Sequence, residues 1–280
     1  MKENANRPAC VILTRNEEIN IERCLRSVAW CGEIAVVDSG STDGTRGIVE
    51  KFGARFVVHV QAGAFNITDQ KNWALEAAGL SADWVLFMDA DEEVPPELRR
   101  IIIDRINDPA AIYTAYELTP KYLFWGKWLK RTQGYPNWHA RLVRRSAAGF
   151  AGGVWDHFDG RARVGRIDEP YNHYANSKGL SDWLARHDRY STWDAKKISD
   201  FLETGDPGAL GTKRKMRLRV WAARCYPLRP FVRFFVNYVL RLGFLEGLPS
   251  FVFCSLYLFY EWMTVVKIVE LKRRRRHEPL

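Results

Sequence analysis

Cysteine is sparse in this chain, and its pattern excludes the usual cysteine chemistries. Five residues (Cys10, Cys24, Cys31, Cys225 and Cys254) form no CxxC pair and no zinc spacing in 280 residues. They are expected as reduced, mostly buried thiols of a cytosolic protein. The six histidines show no metal-ligand clustering either. No GxGxxG follows the first apolar run, which leaves a dinucleotide-binding crevice little support. The lack of GxxxxGK(S/T) excludes a P-loop, and the lack of GxSxG excludes a nucleophile elbow. The first ten residues are polar with no apolar h-region, so no secretory leader is expected. Internal repeats and low-complexity tracts are missing too. No apolar run reaches the ~20 residues that a spanning helix needs.

What is present begins with enough apolar residues, 47%, for one large domain or a domain with an appendage. The net charge of +9 is unevenly placed. From Leu210 onward there are 15 Lys and Arg against 4 Asp and Glu, a net of +11, which leaves the rest of the chain at −2. That last quarter is also rich in Trp, Phe, Tyr and Leu. Basic residues interleaved with long apolar side chains suit a membrane interface better than a nucleic acid, whose phosphate backbone needs no such side chains.

Along the first half, short apolar runs alternate with helical spacing. Ala9–Leu13, Glu33–Val37, Arg55–His59 and Trp84–Met88 read as strands. Ile19–Trp30, a segment ending near Phe52, and Asp69–Ala78 read as helices. This alternation predicts βαβ units and an α/β fold with a doubly wound, mostly parallel sheet flanked by helices. After about Asn107 the pattern changes. Ala111–Leu118 and Arg141–Arg144 read as strands, Leu180–Leu202 as a helix, and Gly205-Asp206-Pro207-Gly208 as a linker. Three regions follow: 1–110, 111–204 with a helix, and 205–280 as a basic, amphipathic helical extension.

The strand ends carry the chemistry. Trp84–Met88 finishes in Asp89-Ala90-Asp91, two carboxylates that share one side of an extended segment. Ligands of open α/β sheets bind beyond the strands' carboxyl ends. Such a pair is costly unless neutralised, and a divalent cation carrying phosphate oxygens would do so. Alternatively the two aspartates only open a helix, for Glu92, Glu93, Pro95 and Pro96 resemble a helix start. Asp38 ends a second strand and Glu17 follows another, so the acids fall along one sheet edge. There they could accept hydrogen bonds from a nucleobase N–H or ribose hydroxyls.

Three blocks then point to a family. Cys10-Val11-Ile12-Leu13-Thr14-Arg15-Asn16-Glu17, Val36-Val37-Asp38-Ser39-Gly40-Ser41-Thr42-Asp43-Gly44-Thr45 and Phe87-Met88-Asp89-Ala90-Asp91 resemble, in order and spacing, those of family 2 glycosyltransferases with the GT-A fold. Gln70-Lys71-Asn72-Trp73-Ala74 resembles a segment found between the second and third blocks. The fold resemblance covers about residues 8–160. Tyr190–Ala195 and Arg229-Pro230-Phe231 to Gly247 extend it to the bacterial lipopolysaccharide-core glucosyltransferase-like subgroup. The resemblance implies that Thr14, Asn16 and Glu17 line a nucleotide pocket, that Asp38 contacts the base, and that Lys71 lies near the nucleotide. Asp89 and Asp91 would form a DxD-type motif, with Asp91 the direct ligand of Mg2+ or Mn2+. Asp156, in Gly152-Gly153-Val154-Trp155-Asp156-His157-Phe158, would be the general base of an inverting transfer, with His157 and Asp159 as alternatives. Many relatives in that subgroup carry His before that acid, where this chain has Trp155. Trp125, Trp128, Trp138 and Trp155 are candidates for stacking on sugars or for the core.

The implied reaction moves a hexose from a nucleotide sugar, a UDP-sugar by expectation, to a cell-envelope glycan or lipid-linked saccharide. Transfer to polyprenyl phosphate is the alternative, and a non-catalytic basic membrane or nucleic-acid-binding module is the alternative of another class. Expected partners are the donor, the acceptor and a membrane surface met through residues 210–280, with no nucleic acid; a homo-oligomer stays open. The expected location is the inner face of the bacterial cytoplasmic membrane. Phe251–Val266, with Glu261 inside it, is expected to lie on or dip into one leaflet, or else to pack as a soluble helix.

Overall fold

A computed structural model describes residues 6–63, 65–153, 156–210 and 216–280. The chain divides into two compact units. One comprises the residues up to Leu123 with Tyr135–Ser177. The other comprises Phe124–Gly134 with Lys178–Leu280.

The first unit is built on a mixed, mostly parallel sheet. Its strands are β1 (Ala9–Thr14), β2 (Glu33–Asp38), β3 (Arg55–Val58), β4 (Trp84–Asp89), β5 (Glu92–Glu93) and β6 (Ala115–Phe124); the two-residue β7 (Lys127–Trp128) follows in the second unit. They continue with β8 (His139–Arg144), the short pair β9 (Phe150–Ala151) and β10 (His157–Phe158), and β11 (Val164–His173). The order across the sheet is β3-β2-β1-β4-β8-β6-β11-β5. Strands β1 to β4 run parallel, β8 is antiparallel to both β4 and β6, and β11 is parallel to β6. Helices α1 (Ile21–Val28), α2 (Thr45–Lys51), α3 (Ile67–Ala77) and α4 (Pro96–Ile106) connect the first strands.

The apolar runs are continuous because these strands are buried on both faces. Cys10 and Ile12 of β1, with Leu86 and Met88 of β4, pack under α1 and α4. Their alternates Ala9, Val11, Val85 and Phe87 pack under α3 and β9. Ile12 is fully buried, so Ile12→Val should lower the unfolding free energy by about 1 kcal/mol in urea titration.

Three sequence expectations shift. The strand expected at Ala111–Leu118 begins at Ala115 and runs on to Phe124. Glu92 and Glu93 do not open a helix: they pair antiparallel with Asn172 and His173 of β11, and α4 starts only at Pro96 with Pro95 as its cap. The helix expected at Phe251–Val266 spans Leu248–Arg275.

In the second unit, α5 (Gly179–Thr204), α6 (Met216–Arg224), α7 (Arg229–Phe234) and α8 (Leu248–Arg275) surround small cores such as Ala195, Phe201, Ala223 and Ile268. The 124–134 segment belongs here. Glu246 accepts the backbone N–H groups of Arg131 (2.6 Å) and Thr132 (3.1 Å). The Thr132 hydroxyl joins Glu246 and Ser250. All five cysteines are free thiols.

Candidate active site

The register sets three strand ends side by side. Thr14 pairs with Asp38, and Leu13 with Asp89. The loops beyond them are laced together. Asn16 takes a left-handed backbone, φ +55°, which Asn tolerates better than most residues. Its N–H donates to Ser41 Oγ at 2.7 Å, and its side-chain oxygen accepts the Thr42 N–H at 2.7 Å. Glu17 donates its N–H to Thr45 Oγ1 and accepts from Asn20 Nδ2. Asp38, nearly wholly buried, accepts the N–H groups of Gly40 (2.9 Å) and Ser41 (2.7 Å) and the Ser41 hydroxyl. Its first task is therefore to hold the loop. A carboxylate offers about four acceptor positions, so one lone pair is left for a ligand. The buried Thr14 hydroxyl has no partner among the described residues.

Beyond β4 lies a charged constellation. Arg141, from β8, is 4% exposed and places Nη2 at 2.9 Å from Asp89 Oδ2, 2.5 Å from Glu92 Oε1 and 3.3 Å from the Tyr171 hydroxyl. Burial opposes ionisation of Asp89, but Arg141 and then Lys71 hold its carboxyl well below the usual range. Burial pushes Glu92 up, to about 8, against the pull of Arg141. Both Glu92 oxygens are nonetheless acceptors, from Arg141 and from the Asp89 N–H at 2.8 Å, as suits an ionised carboxylate. Asp91 instead faces His173 of β11, with Nε2 at 3.4 Å from Oδ2. Burial disfavours charge on His173, but Asp91, Glu92 and Asp89 outweigh it and raise its pKa to about 9.

On the α3 side, Lys71 Nζ lies 2.6 Å from Asp156 Oδ2 and 3.3 Å from the Ala140 carbonyl. Burial lowers the Lys71 pKa, Arg141 adds to this, and Asp156 and Asp89 oppose it. Asp156 thus reaches across 85 residues of sequence to a buried cation. Of the alternatives for its role, Asp159 is tied to Arg161 (2.6 Å) and the Gly149 N–H, and His157 lies in β10. His139 opens β8, two residues before Arg141. Burial and then Arg141 push its pKa down to about 3, so it is neutral. Among the sugar-stacking candidates, Trp125 is two-thirds exposed, Trp138 lies under the Arg166 guanidinium at 4.8 Å, and Trp155 is outside the described residues.

A metal ion would find two donors here, Asp91 and, once the cation displaces its proton, His173. The buried His173 Nδ1 has no hydrogen-bond partner among the described residues, and those residues contain no group of three or more His, Cys, Asp or Glu arranged to hold a metal ion. Two protein donors fit a hard cation that takes its other ligands from substrate phosphates and water. Asp89, engaged by Arg141, is the less available carboxylate. His173, Arg141 and Glu92 escaped the sequence reading. Glu92 was visible only as a helix acid, and nothing in Val164–His173 marked a strand.

Residues 9–154 match the model of glycosyl transferase family 2, and the chain belongs to that family. It is a glycosyltransferase. A glycosyltransferase of Rickettsia bellii (strain RML369-C) with no characterised activity is 27% identical over 274 residues, 93% of this chain and 85% of that protein. The lipopolysaccharide core biosynthesis glycosyltransferase LpsC of Rhizobium meliloti (strain 1021) is 36% identical over 96 residues, 32% of this chain and 34% of that protein. Among solved structures, glucosyl-3-phosphoglycerate synthase from Mycobacterium tuberculosis in complex with Mn2+ and UDP-glucose is 19% identical. That match has a TM-score of 0.45 and covers 65% of this chain and 75% of that one.

Proposed function

We propose that the protein is an inverting, metal-dependent hexosyltransferase acting from a UDP-sugar on a hydroxyl of a cell-envelope glycan or lipid-linked saccharide, at the cytoplasmic face of the membrane. The observation that carries this reading is the pairing of two differently furnished acids in one unit: Asp91 with His173, and Asp156 with Lys71.

Thr14, Asn16, Glu17 and Asp38 form the nucleotide end, where the spare Asp38 lone pair and the unpartnered Thr14 hydroxyl meet base and ribose. Asp91 and His173 would hold Mg2+ or Mn2+, whose chemistry is to neutralise charge on the departing nucleoside diphosphate. Arg141 keeps Asp89 ionised and in place, free to hydrogen-bond the donor. Asp156 accepts the acceptor hydroxyl's proton as that oxygen attacks the anomeric carbon from the face opposite the leaving group. Lys71, 2.6 Å from its Oδ2, holds the Asp156 side chain in place before the transfer. Neutral His139 adds no competing positive charge. The basic C-terminal quarter supports the membrane location, since each Lys or Arg near an anionic surface contributes on the order of 1 kcal/mol. Trp125, exposed in the second unit, suits either a sugar or an interface.

The metal assignment is tested by thermal shift. Wild type should be stabilised by UDP with Mn2+, the shift should vanish in Asp91→Ala, and His173→Ala should reduce it. Equal shifts in wild type and Asp91→Ala would sink the assignment.

A further inference from the structure

The C-terminal helices carry an apolar stripe on their exposed side as well as on their buried one. Tyr226 to Leu240 is one helical run, α7 passing into a π turn, and a short turn at Gly243–Glu246 joins it to α8. The two segments are antiparallel neighbours: Phe234 meets Phe251 and Phe231 meets Trp262, with ring centroids 6.2 and 6.3 Å apart. On the first segment Leu228, Phe231, Val232, Phe235, Val239 and Leu242 recur at helical spacing, and all are exposed, Phe231 by 57% and Phe235 by 52%. On α8 the exposed stripe is Phe251, Phe259, Trp262, Val266 and Val269, again at one-face spacing.

The polar side chains point the other way. Glu261 is 2% exposed and is held by Arg229 at 3.0 Å and Arg233 at 2.5 Å. Ser250 and Thr264 are buried on the same side of α8. A helix on a water-soluble surface buries its apolar stripe and exposes its charges; α8 buries Phe253, Val265 and Ile268 in that way but also turns Glu261 inward and leaves a second apolar stripe exposed. The glutamate that interrupts the apolar run is therefore no obstacle to a lipid-facing surface, because it lies on the inner side.

We infer that this hairpin inserts its outer face into one leaflet of an anionic bilayer, an inference that rests on the membrane location proposed above and gives it a surface and a depth. The exposed apolar residues of α8 occupy one side of the helix only, which fits a helix lying in the interface plane rather than one crossing the membrane. The charge flanking the hairpin in the sequence favours an anionic lipid surface over a second copy of the chain. Arg217, Arg219 and Arg224 precede the hairpin and Lys272–Arg276 ends it, within a quarter carrying a net +11. A two-fold interface would set this basic rim against itself, whereas phosphatidylglycerol headgroups neutralise it.

The test is co-sedimentation of the full-length protein with phosphatidylcholine vesicles containing phosphatidylglycerol, in low salt and in about 1 M salt, where the Debye length falls to about 3 Å. Insertion predicts that a large bound fraction survives high salt. Phe235→Glu with Trp262→Glu, both at exposed positions, should lower that fraction by about tenfold or more while leaving the salt-sensitive part. Brominated lipids should quench wild type more than Trp262→Phe. Binding released wholly by salt would overturn insertion and leave the surface location standing. Absence of binding in low salt would overturn both. A wild-type dimer in vesicle-free solution that the double variant converts to monomer would assign the face to a second copy.

Discussion

Asp156→Asn should lower kcat by about 10²–10⁴-fold, the usual contribution of a positioned general base, with UDP binding retained. The substitution keeps shape but loses the proton acceptor, and it also leaves the ammonium of Lys71 without its carboxylate at 2.6 Å. The effect on the base is separable from the effect on packing. Lys71→Met removes the cation without removing the base, so its activity should fall less than that of Asp156→Asn. Steady-state kinetics of both variants against the same donor would check this. Undiminished kcat in Asp156→Asn would reject the base and favour a phosphate acceptor, which needs no proton taken from it.

The second large effect is on stability. Arg141→Met should destabilise the protein by about 3–5 kcal/mol, as expected when one partner of a buried ion pair is removed. Three groups depend on the single Nη2: Asp89, Glu92 and Tyr171. Asp89 is about a third exposed and water relieves it in part, but Glu92 is fully buried. Adding Glu92→Gln to Arg141→Met should recover part of the loss, because the remaining side chain is neutral. Urea unfolding of the single and double variants measures both terms. A cost below about 1 kcal/mol for Arg141→Met would show that the constellation is not held by this ion pair.

What could be read from the sequence was what depends on local pattern. Strands β1, β2 and β4 were legible because burial on both faces leaves uninterrupted apolar runs. The acids at their ends stood out because they close those runs. Asp91 was visible as half of a spaced pair. Its partner His173 was not, since β11 (Val-Gly-Arg-Ile-Asp-Glu-Pro-Tyr-Asn-His) mixes charge, glycine and proline and has no strand-like alternation throughout. Arg141 looked like one arginine in a short strand. Its role comes from Asp89 and Glu92, about fifty residues away in sequence. The same holds for Lys71, which was placed by resemblance near a nucleotide and is found on Asp156. In α8 the composition was legible but the direction of Glu261 was not, for only Arg229 and Arg233 reveal which side is inner.

Glu246 has a consequence for how the chain is made. The amide of Arg131 waits for a carboxylate 115 residues further along. At the ~5–20 residues per second of synthesis, the 124–134 segment spends about 6–23 seconds without that partner. The strands β1 to β4 can pair in the meantime from neighbouring sequence. A nascent chain halted before Glu246 should therefore be cut by protease within 124–134 while its first sheet resists. Cutting the gene after Asp206 would freeze the protein in that immature state, so such a truncation alters the middle of the chain as well as its end.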